Sequence, residues 1–211
     1  MAEVGEHRKP ISGTERVIPC DTLLLSVGLL PENELTRKLQ VNIDPRTGGA
    51  FVDQRMETSI PGVFACGNVV HVHDLVDFVT MESQRAGEEA ARFVLGRGNA
   101  ETREMPSKRE SAAILSAEKK ECRLENGANV SYTVPQLLSE EELTLSKTDI
   151  FFRVNRIFGK CTAQILSSAS VIAEFKKEYM FPGEMQKVTL SPSVFQRIMS
   201  EKSVTFQVTE V

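Results

Sequence analysis

Glycine and phenylalanine fall on opposite sides of residue 100. Ten of the 13 glycines lie at or before Gly98, and seven of the 11 phenylalanines lie at or after Phe151. Hydrophobic periodicity changes at the same place, and this change constrains the fold more than any other feature. The first part alternates strand and helix signals. Thr14–Cys20 is a short alternating run, and Thr22–Val27 is a continuous apolar run stopped by Gly28. A run of that kind suits a strand covered on both faces of a parallel α/β sheet. Pro31-Glu32-Asn33-Glu34 opens a short helix to Leu39. Val41–Asp44 and Ala50–Asp53 flank a hairpin-type turn over Pro45–Gly49. Gly62–Cys66 predicts another short buried strand. A helix is expected from about Leu75 to Leu95, with Leu75, Phe78, Val79, Ala86, Ala90, Phe93 and Val94 largely on one face. Asp74 suits its N-cap and Gly96 its C′ position.

The second part reads as all-β. Asn126-Gly127 between Glu121–Leu124 and Ala128–Thr133 is a strong two-residue hairpin signal. Strands are expected at Asp149–Asn155, Cys161–Ser167, Val171–Tyr179, Met185–Leu190 and Ser203–Val208, with a turn at Pro182-Gly183 and a helical turn or two over Ser193–Met199. That strand density favours a sandwich. Phe151 and Phe152 are adjacent, so one should face the core and the other the opposite side. The polar, glycine-containing stretch Gly96–Pro106 reads as a linker. The expected organisation is a first unit over 1–100, a linker over 101–113 and a β-sandwich over 114–211.

Charge and composition remove several classes of function. The chain has a net charge of −4, which gives no basic footprint for nucleic acid. No run of 18 apolar residues exists for a membrane-spanning helix. The N-terminus has no apolar secretory core, so the expected compartment is the cytoplasm. The four cysteines, Cys20, Cys66, Cys122 and Cys161, form no C-x-x-C. They read as reduced, packed or incidental thiols. Cys66, His71, His73 and Asp74 superficially suggest metal ligands, but no matched second cluster exists, so no metal is expected. Asp77 and Glu82 read as solvated helix charges. Arg153, Arg156, Lys176 and Lys177 read as exposed strand residues.

The informative segment is Thr58-Ser59-Ile60-Pro61-Gly62-Val63-Phe64-Ala65-Cys66-Gly67-Asn68. Its apolar strand delivers the chain to Gly67, where a missing side chain lets the backbone approach a ligand. Asn68 then offers a short polar side chain at the carboxyl end, where ligands of open α/β sheets bind. The helix start near Asp74, Leu75 and Val76 favours negative charge.

This segment resembles the second FAD-binding motif, T-x-x-P-G-[VI]-[FY]-A-x-G-[DN], of the pyridine nucleotide-disulfide oxidoreductase family with its thioredoxin reductase-like members. Cys20–Pro31, which includes Gly28, is similar to the stretch where that family's chain returns from its NAD(P)-binding domain to the FAD domain. The β part is similar to the C-terminal extension of some bacterial members. The resemblance implies an α+β protein: a partial Rossmann-like FAD/NAD(P)-binding segment followed by an all-β, immunoglobulin-like sandwich. It implies cofactor-binding roles for Gly28, Gly67, Asn68, His73, Asp74, Leu75 and Val76, and assigns no catalytic residue. Asn68 stands where the family more often has Asp, and its amide still accepts and donates hydrogen bonds. Backbone amides of Leu75 and Val76 would stabilise charge near N1 and O2 of a reduced flavin. His71 and His73 would line the flavin site or pack in its loop. FAD is the implied cofactor, with NAD(P)H reaching it through a domain outside this chain.

Neither G-x-G-x-x-G fingerprint needed for the FAD and NAD(P) pyrophosphates is present. Two dinucleotide-binding units would need roughly 200–300 residues, and about 100 are spent on that fold here. The expectation is therefore the C-terminal portion of an FAD-dependent NAD(P)H oxidoreductase, inactive in isolation. Two alternatives stand beside it. In one, a separate chain supplies the FAD/NAD(P)-binding half of a split enzyme. In the other, the β-sandwich is a protein-interaction module on a relic flavin fold. No nucleic acid or membrane partner is expected, and an oligomer is compatible with the sequence.

Overall fold

A computed structural model describes residues 1–5, 9–24, 28–98, 120–140, 147–168 and 170–211. The expected linker lies almost wholly outside the described residues. The first part holds α1 (Glu34–Lys38), a 3-10 turn at Gly67–Val69 and the long helix α2 (Val76–Gly98). No described helix is long and apolar enough to cross a membrane.

The second part forms β1 (Glu121–Asn126), β2 (Val130–Val134), β3 (Leu137–Ser139), β4 (Thr148–Val154), β5 (Cys161–Leu166), β6 (Val171–Lys177), β7 (Gln186–Leu190), α3 (Pro192–Ile198) and β8 (Ser203–Glu210). Five strands make one sheet in the order β3-β1-β8-β5-β6, and three make another in the order β2-β4-β7. Alternating side chains of both sheets bury one apolar core. Phe152, Phe206, Ile150, Ile165 and Leu190 are completely or almost completely enclosed there, and Phe195 and Ile198 of α3 close it. The Ser191 hydroxyl caps α3 by accepting from the Val194 amide, and Pro192 opens the helix. The chain is thus α+β, with the strands in a mixed sheet and an antiparallel one.

Two β-part expectations change. The chain turns at Ala128-Asn129, with Asn129 at φ +65° and Asn126 still the last residue of β1, and β1 and β2 enter different sheets and do not pair. Both neighbour positions of β1 are taken, by antiparallel β3 and by parallel β8. Gly127 is needed instead for contact with β8. Its amide donates to the Phe206 carbonyl at 2.8 Å, and a Cβ there would come within 2.5 Å of Thr205 Cγ2. The parallel β1–β8 pair is not visible in an alternation pattern, because pairing partners 80 residues apart leave no local signal.

In the first part the Pro45–Gly49 turn forms as expected, with Ile43 opposite Ala50 and a 2.9 Å bond from the Asp44 amide to the Gly49 carbonyl. The expected strand at Thr14–Cys20 is absent. Thr22–Leu24 is not a strand either, and Leu23 and Leu24 are 73% and 89% exposed; Leu25–Val27 lie outside the described residues. A strand covered on both faces requires neighbours, and none of the described residues pairs with this run. Gly62–Cys66 is reduced to a single bridge between Phe64 and Glu57, half-buried rather than central.

A second, smaller core joins the two parts. Val41, Ala50, Val52, Met56, Val70 and Ala86 pack with Val134 and Tyr132 of β2. Polar contacts run beside it. The buried Gln136 side chain accepts from the Val52 amide at 3.1 Å and donates to the Asp44 carboxylate at 2.9 Å. The Ser139 hydroxyl donates to Asp53, and the Gln54 amide donates to the Ser139 carbonyl.

Candidate functional site

The site is built where the 3-10 turn, the loop after it, α2 and the inner edge of β4 meet. Gly67 has φ +70°, a left-handed conformation that favours glycine. Its buried amide donates to Glu82 Oε2 at 2.9 Å. Asn68 is exposed, and its side-chain oxygen accepts from the His73 amide at 3.2 Å. The loop is pinned from outside by Asn33, whose Nδ2 donates to the Val69 and Gly48 carbonyls. Gly49 lies directly beneath Val70, with space for no side chain at all.

His71 and His73 are two residues apart in the loop, and their rings come to 4.1 Å between centroids. Both side chains are at most 1% exposed. Glu82, one turn and more into α2, reaches back to them. His71 Nε2 lies 2.7 Å from Glu82 Oε1, and His73 Nε2 lies 2.9 Å from Glu82 Oε2. The reading of Glu82 as a solvated charge is therefore corrected: it is 4% exposed. A signal for this was present. Glu82 is four residues after Phe78 and four before Ala86, so it falls on the apolar face of the helix. Asp77, by contrast, is exposed as expected.

Burial alone would raise the Glu82 carboxyl. The hydrogen bond from His71 and the proximity of both imidazoles outweigh it and hold the group down at about 2. Burial lowers His71 by more than Glu82 raises it. Near neutral pH the pair is thus a carboxylate beside a neutral imidazole. An aromatic wall encloses it. Phe151 lies 5.9 Å from the His71 ring, 5.8 Å from the His73 ring and 5.1 Å from Phe78. Phe152 points the other way, into the main core, so the adjacent phenylalanines do divide between two faces.

The remaining expected residues divide into two groups. Asp74 does not cap α2. Its Oδ1 accepts from Arg153 Nη2 at 2.6 Å, and its Oδ2 accepts from the Met185 amide at 2.5 Å. Arg153 is accordingly not a free strand residue; it also donates to the Tyr132 hydroxyl and the Val72 carbonyl. The acidic partner lies in the loop before α2, so β-strand alternation could not reveal it. Leu75 and Val76 are 53% and 75% exposed at the helix start, where the first-turn amides of an α-helix have no intrahelical partner. Gly28 is exposed at φ +95°, and nothing lies within 4 Å of where a Cβ on it would stand. Gly67, Asn68, His73, Asp74, Leu75 and Val76 are brought together.

Two cavities flank the cluster. One, of about 230 Å³, is lined by Glu82, Met81, Arg85, Val134 and Phe151. The other, of about 340 Å³, is lined by His71, Tyr132, Arg153, Arg46, Leu30 and Pro31.

Comparison with known proteins bears on the first part alone. Residues 2–90 match the family model described as pyridine nucleotide-disulphide oxidoreductase. The chain is similar to a thioredoxin reductase of Listeria innocua, 33% identical over 87 residues, which cover 40% of this chain and 26% of that protein. It is similar to a mitochondrial dihydrolipoyl dehydrogenase of Mesocricetus auratus, 42% identical over 60 residues, 28% of this chain and 12% of the relative. A ferredoxin–NADP reductase of Leuconostoc mesenteroides is 32% identical over 76 residues, 35% of this chain and 23% of that protein. The matched region thus spans about a quarter of the thioredoxin reductase's length. No solved structure matches the chain significantly.

Proposed function

We propose that this chain, whose residues 2–90 match the pyridine nucleotide-disulphide oxidoreductase family model, supplies the closing segment of an FAD site in an NAD(P)H-linked oxidoreductase. The observation that carries the reading is the geometry at the end of the Thr58–Asn68 motif. Gly67 turns the chain at positive φ, Asn68 stands exposed beside it, and the exposed first turn of α2 follows at Leu75 and Val76. These groups suit a flavin: the turn carries no side chain at Gly67, the Asn68 amide is open to solvent, and the helix start favours anionic charge. When bound, FAD supplies hydride transfer between NAD(P)H and an acceptor.

This chain's own residues have supporting roles. Asn68 would hydrogen-bond the ribityl or pyrophosphate region. The Leu75 and Val76 amides would face the pyrimidine edge of the ring and stabilise charge there. Asp74, gripped by Arg153 and the Met185 amide, fixes the position of that helix start against the β part. The two glycine fingerprints come from elsewhere, in a polypeptide carrying the FAD/NAD(P)-binding half.

The test is flavin retention. Purified alone, the chain should carry little or no flavin absorbance and should not oxidise NADPH or NADH. Co-expressed with a family member's FAD- and NAD(P)-binding half, it should co-purify as a yellow complex, and Asn68→Ala should weaken flavin retention. Stoichiometric flavin on the isolated chain would refute the shared-site reading; no flavin in either preparation would refute the FAD reading itself.

A further inference from the structure

The histidine–glutamate cluster is built as more than a hydrogen-bonded pair. Three ligand-type side chains converge from two elements, and one candidate ligand atom from each lies within 4.8 Å of the others. All three side chains are at least nine-tenths buried. His71 satisfies Glu82 with a hydrogen bond, but His73 does not. Its Nε2 sits 2.9 Å from Glu82 Oε2 without hydrogen-bond alignment and has no other partner among the described residues. A buried polar nitrogen left unpaired is destabilising, so two imidazoles in tilted contact, 59° between planes, are more than one carboxylate needs to be held.

We propose that His71, His73 and Glu82 bind a divalent first-row transition ion of the zinc class through the two Nε2 atoms and the carboxylate. Two imidazoles and one carboxylate are the donor set of open zinc and ferrous sites, and they select against magnesium and calcium, which prefer all-oxygen shells. The nitrogen-to-oxygen separations of 2.7 and 2.9 Å would widen by about half an ångström around an ion with bonds near 2.0–2.1 Å. That adjustment is within the reach of side-chain rotation in a loop and one helix turn. The outer shell is present at the carboxylate, while both imidazole Nδ1 atoms are buried with no hydrogen-bond partner among the described residues. The Gly67 amide donates to Glu82 Oε2 and fixes the carboxylate. The cavity of about 340 Å³ beside His71 offers an entry path and room for a water or small anion in the open coordination position. Arg153 and Tyr132 line that cavity and favour an anionic fourth ligand. Cys66 hydrogen-bonds Ser83 at the edge of α2 and is not part of the cluster.

This assignment does not depend on the flavin reading, because the cluster is complete within the chain. The test is titration of the full purified chain with cobalt(II), after chelator treatment, followed by visible absorption. One ion per chain should bind with the d–d bands of a low-symmetry nitrogen/oxygen site and without thiolate charge-transfer bands. Zinc should displace it and raise the thermal midpoint. His73→Gln, checked for fold by circular dichroism, should weaken binding by more than the roughly 10–100-fold that loss of an outer-shell partner costs. Glu82→Gln should do the same; should either variant fail to fold, the wild-type spectrum still decides. No cobalt spectrum on the folded wild-type chain, a thiolate-type spectrum, or unchanged affinity in folded His73→Gln would overturn the assignment.

Discussion

Asp74→Ser separates two accounts of the helix that opens the proposed flavin contact. If Asp74 were an N-cap, serine would serve nearly as well, and the loss would be confined to a helix-dipole interaction of about 0.3–1 kcal/mol. In the structure Asp74 instead accepts from the Met185 amide and from Arg153. Met185 is 6% exposed, so losing its acceptor strands a buried N–H, at a cost of about 1–3 kcal/mol. The Asp74–Arg153 pair is partly solvated, with side chains 34% and 14% exposed, and contributes at most about 1 kcal/mol after screening. Serine reaches neither donor, so the expected loss is about 2–3 kcal/mol. In a chain of this size that is a fall of about 4–12 °C in thermal midpoint. Urea unfolding followed by circular dichroism measures it. Asp74→Asn retains one acceptor oxygen and should fall between serine and wild type. A double-mutant cycle with Arg153→Met should show coupling near 1 kcal/mol. A serine variant within about 1 kcal/mol of wild type would refute the cross-link and restore the capping role.

Other positions give simpler expectations. Gly49→Ala would place a Cβ 1.8 Å from the Val70 carbonyl oxygen, a backbone atom that cannot move aside. It should cost more than about 3 kcal/mol, read as insoluble protein or a collapsed thermal midpoint. Phe152→Ala empties the centre of the main core and should cost about 3–5 kcal/mol by urea titration. Among the thiols, exposed Cys20 should react with a disulfide reagent at once, while buried Cys122 and Cys161 should wait for unfolding. Burial, with Glu201 and Glu125 nearby, raises the Cys122 thiol to about 11. The unfolded chain ionises that thiol first, so stability should fall as pH rises from about 9 toward about 11, and Cys122→Ala should flatten that slope.

What the sequence disclosed was mostly local. The alternation in Cys161–Leu166 and Ser203–Val208, the 3.6-residue stripe of α2 and the Pro45–Gly49 turn are short-range patterns, and each leads to the element found. Failures occur where the deciding partner is distant. Thr22–Leu24 has the composition of a central strand, yet pairs with none of the described residues. Asn126-Gly127 has hairpin chemistry, yet β8 arrives from far along the chain and takes the place beside β1. Asp74 suits a cap in isolation, and only the fold brings Arg153 and Met185 to it. The motif turn at Gly67 and Asn68 was legible because a glycine at positive φ leaves its mark on residue type. Glu82 was half legible: it lay on the apolar stripe, but a charged residue there invites a surface reading until its two histidines are in view.

Gln136 carries a consequence for how the molecule behaves as an object. Its one amide group, carried by the β part, holds two points of the first part at once, taking a donor from Val52 and offering one to Asp44. Glutamate would set a negative charge against Asp44, and leucine would silence both contacts, so the position tolerates neither charge nor grease. The handshake also works in space rather than along the backbone. Scission between residues 98 and 120 would cut the covalent thread while the Val52–Val134 packing and this amide still hold the pieces together. The halves then behave as a lock and its plate: separable on paper, but fastened by contacts that a protease working on the connection does not touch.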